Sequence, residues 1–377
     1  MKVLVAGDFV PNNRIAIKIE KRDYRFLDEI KPIIQSVDYA IVNFESPVVA
    51  RHSKAIDKTG PCLCCTENAI ECVSQVGFGC VTLANNHFRD FGQIGVEDTI
   101  SACNKYNIDF VGGGKNIQEA SRILYKEIKG RVLAIINVCE HEWSIASEDH
   151  GGSNPLDIIS ICRNIKEARN KADYVMIIIH GGTEHYNLPT PRMKHTYRFF
   201  IDNGADAVVN HHQHCYSGFE IYQKKPIVYG LGNFCFDKDK GKDAKLWEEG
   251  YLVEIDFDNT THIVLYPYKQ CSKTCSSVKL VEESNLIKFN ESINQLNYII
   301  LDDKLLHQQY EKNTHKGSLM SKSILAPYST NFFLKLSNKG ILPSFSSTIR
   351  RKRLLAYIQC ESHRDILISW LNKDLKK

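Results

Sequence analysis

Apolar runs and helical patterns alternate along the first two-thirds of this chain. Short aliphatic runs at Val3–Gly7, Tyr39–Asn43, Cys80–Ala84, Phe110–Gly112, Val132–Val138, Tyr174–Ile179 and Ala205–Val209 predict strands. Between several of them, apolar residues at helical spacing predict helices over Tyr24–Val37, Thr66–Gln75, Gln93–Tyr106, Leu156–Lys171 and Arg192–Asp202. Such alternation predicts an α/β domain with much parallel pairing, whose chemistry collects beyond the carboxyl ends of the strands. Later pairs look antiparallel: Phe219–Gln223 and Pro226–Tyr229 flank a Lys-Lys turn, and Tyr251–Phe257 and His262–Tyr268 flank Asp258–Thr261. Parallel strands followed by hairpins predict two sheets packed face to face with helices outside. After about residue 280 the strand signal disappears, and Glu282–Ile299, Asp302–Asn313, Phe345–Gln359 and His363–Leu375 carry the helical period instead. The expected organisation is an α/β sandwich domain over 1–275, a junction at Ser272–Ser277, and a helical appendage over 280–377.

Polar residues gather where the strands end. Asp8 follows the first strand, where a carboxylate can bind a metal or cap the next element. Asn43 and Glu45 close the second. Leu83-Ala84-Asn85-Asn86-His87-Phe88-Arg89-Asp90 closes the third: Asn86 offers a neutral carbonyl oxygen to a metal, His87 is an acid or ligand, and Asp90 can hold the His87 tautomer. A polar turn capping a helix is the competing account of that run. His180 ends the Tyr174–Ile179 run, with Gly181-Gly182 leaving backbone free to approach a ligand and Glu184, His185 and Tyr186 forming a polar rim. His211, His212 and His214 follow the next run, and ordinary buried strands rarely carry three histidines in four positions. Alternation within an extended His212-Gln213-His214 points both rings the same way, so imidazoles at neighbouring strand ends can converge on one metal. Gly230-Leu231-Gly232-Asn233-Phe234 has no helix after it and is expected to be a turn near the site, with Asn233 supporting a ligand. Cys62, Cys64, Cys65 and Cys72 lack the paired spacing of a zinc knuckle and fit small core residues better.

Taken together these residues resemble the CapA family, the poly-γ-glutamate and capsule biosynthesis proteins within the calcineurin-like metallophosphoesterase superfamily. The resemblance runs from Met1 to about Asp237. It rests on Gly7-Asp8, Asn43-Phe44-Glu45-Ser46-Pro47, the Leu83–Asp90 run with Gly92, Gly112-Gly113-Gly114, His180-Gly181-Gly182 with Glu184, Pro189-Thr190-Pro191, Asn203-Gly204-Ala205-Asp206, His211–His214 and Pro226 through Phe236. It implies a two-sheet α-β-β-α sandwich of the metallophosphoesterase type with a dinuclear centre of Mn, Fe or Zn. On that resemblance Asp8 and His214 would hold one metal, and Asn86, His180 and His212 the other, with His211 an alternative to His212. Glu45 would stand between them in place of the usual bridging aspartate. His87 would be the general acid, supported by Asp90, with Glu184 a further catalytic group. Two departures separate the chain from the wider superfamily: Val10 stands where the Asp-x-His motif has histidine, and Asn43-Phe44-Glu45 replaces Gly-Asp-x-x-Asp.

Charge changes this picture little. The net formal charge is +4, but the residues from Val281 onward carry 15 Lys and Arg against 9 Asp and Glu, while the preceding ones carry 33 against 35. The basic appendage, with Arg350-Arg351-Lys352-Arg353, suits either an anionic polymer or a plain solvated helix face. No apolar run reaches the ~18–20 residues of a membrane span, and thirteen cysteines without an export signal suggest reduced thiols in the cytoplasm. A near-neutral core without basic-aromatic interleaving argues against nucleic acid. The expected function is a metal-dependent, phosphoesterase-like hydrolase in capsule or exopolymer biosynthesis, acting on an anionic polymer or phosphorylated carbohydrate. A γ-glutamyl amide hydrolase and a non-catalytic assembly subunit that binds capsule-synthesis proteins are the rivals.

Overall fold

The strand β1 (Lys2–Val10) is buried at every position but Lys2, and the first sheet is built around it. The computed structural model describes residues 1–58, 60–237, 244–258, 262–316, 331–343 and 347–359. On one side of β1 lie β14 (Glu249–Asp256), β15 (Ile263–Gln270) and β16 (Val278–Leu280), all antiparallel. On the other lie β2 (Tyr39–Phe44), β3 (Cys80–Thr82) and β4 (Asp109–Val111), all parallel. The second sheet has the order β11 (Phe219–Tyr222), β12 (Lys225–Val228), β10 (Ala207–His211), β9 (Tyr174–His180), β7 (Arg131–Cys139) and β6 (Leu124–Ile128). Its middle strands are parallel and a hairpin closes each edge. Two short strands, β5 (Gly113–Gly114) and β8 (Gly152–Ser153), pair separately.

Helices cover both outer faces. Side chains of α1 (Asn13–Glu20), α2 (Lys31–Ser36), α3 (Asn68–Val76) and α4 (Gly92–Lys105) share one apolar cluster with Leu4, Ala6 and Phe9 of β1 and Ala40, Val42 and Phe44 of β2. Beyond the short α5 (Ile117–Ala120), α6 (Ile158–Arg169) packs on β7 and β9, and α7 (Pro191–Asp202) packs on β10. This is a two-sheet α-β-β-α sandwich. The helix expected over Tyr24–Val37 is broken into a 3₁₀ turn at Arg25–Leu27 and the short α2. Pro32 in the first turn of α2 has no N–H to donate and its ring would clash with a preceding helical turn, so α2 starts there and no helix continues into it from Tyr24. The eight residues of α1 bury only Ile15 and Ile19, one i,i+4 pair, too brief a stretch for the period to show.

A bulge at Gly7 prepares the site. Ala6 and Phe9 both face the outer helices although they are three positions apart, an odd spacing that a regular strand forbids. The pairing with β2 slips between Ala6 and Asp8, and this restores the phase and turns Asp8 away from the outer core. Beyond the slip β1 leaves β14 and pairs with β13 (Asn233–Phe236). A Cβ at Gly7 would sit 1.9 Å from the Gly232 carbonyl oxygen. Gly7→Ala is therefore expected to cost about 1–3 kcal/mol by overpacking, read as a lowered Tm.

The chain divides into two compact units, Met1–His307 and Gln308–Lys377. Within the first, α8 (Ala244–Glu248) brings Trp247 against Phe236. Near its end α9 (Glu283–Leu301) buries Phe289, Ile293, Leu296 and Ile300 and contacts β11. Buried Lys194 of α7 donates to the Ile300 carbonyl and to Asp303, satisfying the helix end where a cation is favoured. The next helix, α10, spans Asp303–Lys316. Beyond α10, the described helices of the second unit are Asn331–Asn338 and Thr348–Gln359, the latter carrying Arg350, Arg351 and Lys352. The expected helix His363–Leu375 and Asn259–Thr261 of the hairpin turn lie outside the described residues. Among the described residues no helix is long and apolar enough to cross a membrane.

Candidate metal centre

Five strand ends deliver the polar groups, as the rule for open α/β sheets requires. Asp8 lies near the end of β1, Asn43 near the end of β2 with Glu45 just beyond, Asn86 and His87 after β3, and His180 at the end of β9. The last residue of β10 is His211, and His212 and His214 follow it. All of these side chains are buried.

His180 Nε2 is the hub. It lies 3.1 Å from Asn86 Oδ1, 3.0 Å from His212 Nδ1 and 3.5 Å from Glu45 Oε1. The other ring nitrogen lies 3.2 Å from Asn43 Nδ2, and Asn43 Nδ2 also donates to Asp8 Oδ1 at 2.7 Å. Opposite stands His214, with Nδ1 3.5 Å from Asp8 Oδ2 and Nε2 3.9 Å from Glu45 Oε1. Two sets of donors thus come together, Glu45–His180–His212 and Asp8–Glu45–His214, with the ligand atoms of each set within 4.8 Å of one another. Glu45 belongs to both. Its carboxylate is fully buried, and neither oxygen has a hydrogen-bond partner. A buried carboxylate without donors is costly, and a cation relieves that cost, so the donor set fits one or more divalent metals.

The histidine loop reaches the site by a different route from the expected one. His212 has φ +88° and His214 φ +54°, so the segment is not extended, and left-handed backbone, not strand alternation, turns both rings inward. Such conformations are uncommon for residues with a Cβ and concentrate at functional sites. His211 does not enter either donor set: its Nε2 lies 2.9 Å from the Ala6 carbonyl oxygen.

Electrostatics follow the crowding. Burial and the neighbouring Asp8 push the Glu45 carboxyl well above its ordinary value. Burial opposes the charge on Asp8, yet His214, His180 and His211 hold it well below. Burial, then His212, drive His180 well below its usual value. His214 goes the other way, to about 9, because Glu45 and Asp8 overcome the effect of its burial.

The proposed acid stands in its own network. His87 Nδ1 lies 2.6 Å from Asp90 Oδ2, and the wholly buried Asp90 also accepts from Lys58 and, at 2.7 Å, from the Leu63 N–H. Glu184 is half exposed, 4.0 Å from His185 Nε2, and its charge helps raise the pKa of Glu45 and His214. Asn233 lies 2.9 Å from His214 Nδ1. Trp247 covers His214 with ring centroids 5.0 Å apart. No cysteine enters a metal-binding group among the described residues, and Cys72 is a buried core residue of α3.

Sequence reasoning missed Lys58 and Glu142. Glu142 follows β7, with Oε1 3.7 Å from His212 Nε2 and Oε2 accepting from Asn86 Nδ2 at 3.4 Å. The Val132–Val138 run was legible as a strand, so the acidic residues just past its carboxyl end were within reach of the rule that found the others. Lys58 lies in a long connection with no periodic signal.

Residues 2–238 match the sequence profile of a family described as bacterial capsule synthesis protein PGA_cap. The chain belongs to the PGA_cap family. Its PGA_cap relatives include the capsule biosynthesis protein CapA of Bacillus anthracis, 29% identical over 91% of this chain and 79% of that protein. The PGA biosynthesis protein CapA of Bacillus subtilis is 32% identical over 55% of this chain and 56% of that one, so the match spans about half of that relative. Among solved structures, a phosphatase from Mycoplasma pneumoniae aligns over 73% of this chain and 95% of its own at 15% identity and a TM-score of 0.45. A 5'-nucleotidase from Candida albicans aligns over 84% and 57% at 10% identity and a TM-score of 0.42.

Proposed function

We propose that this PGA_cap protein is a metal-dependent hydrolase of the CapA type that cleaves a phosphoester in capsule or exopolymer biosynthesis. The observation that carries the reading is the Glu45 carboxylate, buried without a hydrogen-bond donor between two sets of histidine ligands. Asp8, Glu45 and His214 would hold one divalent ion, and Glu45, Asn86, His180 and His212 a second. Imidazole-rich donors with few carboxylates suit Mn, Fe or Zn. When bound, such ions would activate water and neutralise charge on a phosphoryl oxygen.

The chain's own groups do the rest. Asp90 holds Nδ1 of His87, which leaves Nε2 as the nitrogen able to pass a proton to a departing oxygen. The Lys58 ammonium neutralises Asp90 and, with the Leu63 N–H, fixes its orientation. Glu184 at the rim would steer incoming groups and share in proton transfer. Substrates in keeping with the family are an anionic polymer or a phosphorylated carbohydrate. The basic helical appendage expected over 280–377, whose first helix α9 packs into the Met1–His307 unit, would meet such a polymer or other capsule-synthesis proteins. Thirteen cysteines in the sequence would suit a reducing compartment such as the cytoplasm.

Turnover of bis(p-nitrophenyl) phosphate by the Mn²⁺-loaded protein tests the reading. His87→Asn is expected to lower kcat by about 10²–10⁴-fold with metal content unchanged. Absence of turnover by fully loaded wild type would overturn the phosphoesterase. Cleavage of γ-glutamyl amides instead would then assign the amide hydrolase, and no cleavage of either would assign the assembly subunit.

A further inference from the structure

A metal ligand with two possible donor faces must present the right one. Histidine offers either ring nitrogen, and an asparagine side chain offers an oxygen or an NH₂ group that nearly superimpose on rotation. Nothing in the Asn86 or His212 side chains themselves makes the choice. The usual device is a partner that takes the proton on the far side of the ligand.

In the His180 half of the centre, one residue stands on the far side of both uncertain ligands. Glu142 Oε2 accepts from Asn86 Nδ2 at 3.4 Å, and with the NH₂ group turned that way Oδ1 faces His180 Nε2 at 3.1 Å. Glu142 Oε1 lies 3.7 Å from His212 Nε2, an ion-pair distance, while His212 Nδ1 faces His180 Nε2 at 3.0 Å. The two oxygens of one carboxylate therefore address the two groups that must hold protons if Asn86 Oδ1 and His212 Nδ1 are to act as donors. Its loop is tied to the same turn: Ser144, two residues on, donates from Oγ to the Asn86 carbonyl at 2.7 Å and accepts from the Arg89 N–H at 3.1 Å. The other half has its own counterpart in Asn233, whose Oδ1 lies 2.9 Å from His214 Nδ1 and so leaves Nε2 directed at Glu45.

We infer that Glu142 is the positioning residue of the Asn86–His180–His212 half, setting the amide orientation of Asn86 and the ring tautomer of His212. This rests on the metal-dependent reading above. Glutamine at this position keeps the shape, but its single oxygen can accept from only one of the two groups and its NH₂ opposes the other. The Glu142 side chain is 39% exposed, so Glu142→Gln leaves the core undisturbed.

The test is Mn²⁺ titration of full-length wild type and Glu142→Gln by calorimetry, with histidine-selective nitrogen NMR of the Zn²⁺-loaded proteins. The variant is expected to bind the His180-half ion roughly 10–100-fold more weakly, with the Asp8–Glu45–His214 half unaffected. In the NMR spectra His212 should carry its proton on Nε2 in wild type and lose that single form in the variant, while His214 keeps its proton on Nδ1. A general loosening of the fold would move both histidines together. Wild-type Mn²⁺ affinity and an unchanged His212 tautomer in the variant would overturn the role of Glu142 alone. Failure of wild type to bind Mn²⁺ or Zn²⁺ at all would overturn the metal-dependent reading and this inference with it.

Discussion

The double substitution His180→Ala/His212→Ala is expected to remove at least one of two equivalents of Mn, Fe or Zn from protein purified without chelator, and to take phosphoester hydrolysis to background. His180 Nε2 is the atom on which the other donors of its half converge, within 3.5 Å of Glu45, 3.1 Å of Asn86 and 3.0 Å of His212. Removing both rings leaves Asn86 and the shared Glu45 as the surviving donors of that half, too few for a stable site at histidine-preferring ions. The fold should survive. His180 ends β9 and His212 follows β10, and neither belongs to the apolar clusters of the core, so their loss leaves the packing of the sandwich in place. Metal analysis by mass spectrometry reads the first outcome, and circular dichroism checks the fold. Full wild-type metal content in the variant would place the ions elsewhere. A wild type that stays metal-free after Mn²⁺ reconstitution would remove the dinuclear mechanism and favour the assembly subunit.

Much of this arrangement is legible in the sequence because strands with polar site residues at their ends leave two signals at once, an apolar run and the polar residue that stops it. Val3–Gly7 before Asp8, Tyr174–Ile179 before His180 and Ala205–Val209 before the histidines all read this way, and each is a strand. The signal fades where backbone geometry, not periodicity, decides the outcome. His212 and His214 turn inward on left-handed backbone, and the contact of His211 with the Ala6 carbonyl depends on how two sheets pack. The bulge at Gly7 is likewise invisible until β1 is seen to change partners from β14 to β13. Pro32 is itself a sequence signal against one continuous helix over Tyr24–Val37. Lys58 had no signal of its own, because a lysine buried against an aspartate 32 residues away reads as a surface charge.

On the proposed metal-dependent reading, Glu45 should make the metal-free protein less stable, and Glu45→Gln is expected to invert the order of stability between the two states. In EDTA the wild type keeps a carboxyl with no donor beside Asp8, and burial and that neighbour raise its pKa well above 4.5. Below about pH 4.5 both folded and unfolded chains hold this proton, so the group contributes nothing to stability. As the pH rises the unfolded chain releases the proton while the folded chain retains it, so stability is lost progressively until the raised folded value is passed. Glutamine does not titrate and escapes this loss. The variant should therefore melt higher than wild type in EDTA at neutral pH, by about 1–4 kcal/mol in unfolding free energy, with a margin that shrinks as the pH is lowered toward 4.5. Metal reverses the sign. At Mn²⁺ a hundredfold above its Kd the wild type gains about 2.7 kcal/mol by linkage, and the variant, without the shared ligand of both halves, gains little. Thermal melts of the two proteins with EDTA and with Mn²⁺, at pH 5 and pH 8, read all four corners. A Glu45→Gln protein that melts below wild type in EDTA at pH 8 would show that the carboxylate is satisfied by the protein itself, and the main support for a metal at this position would be gone.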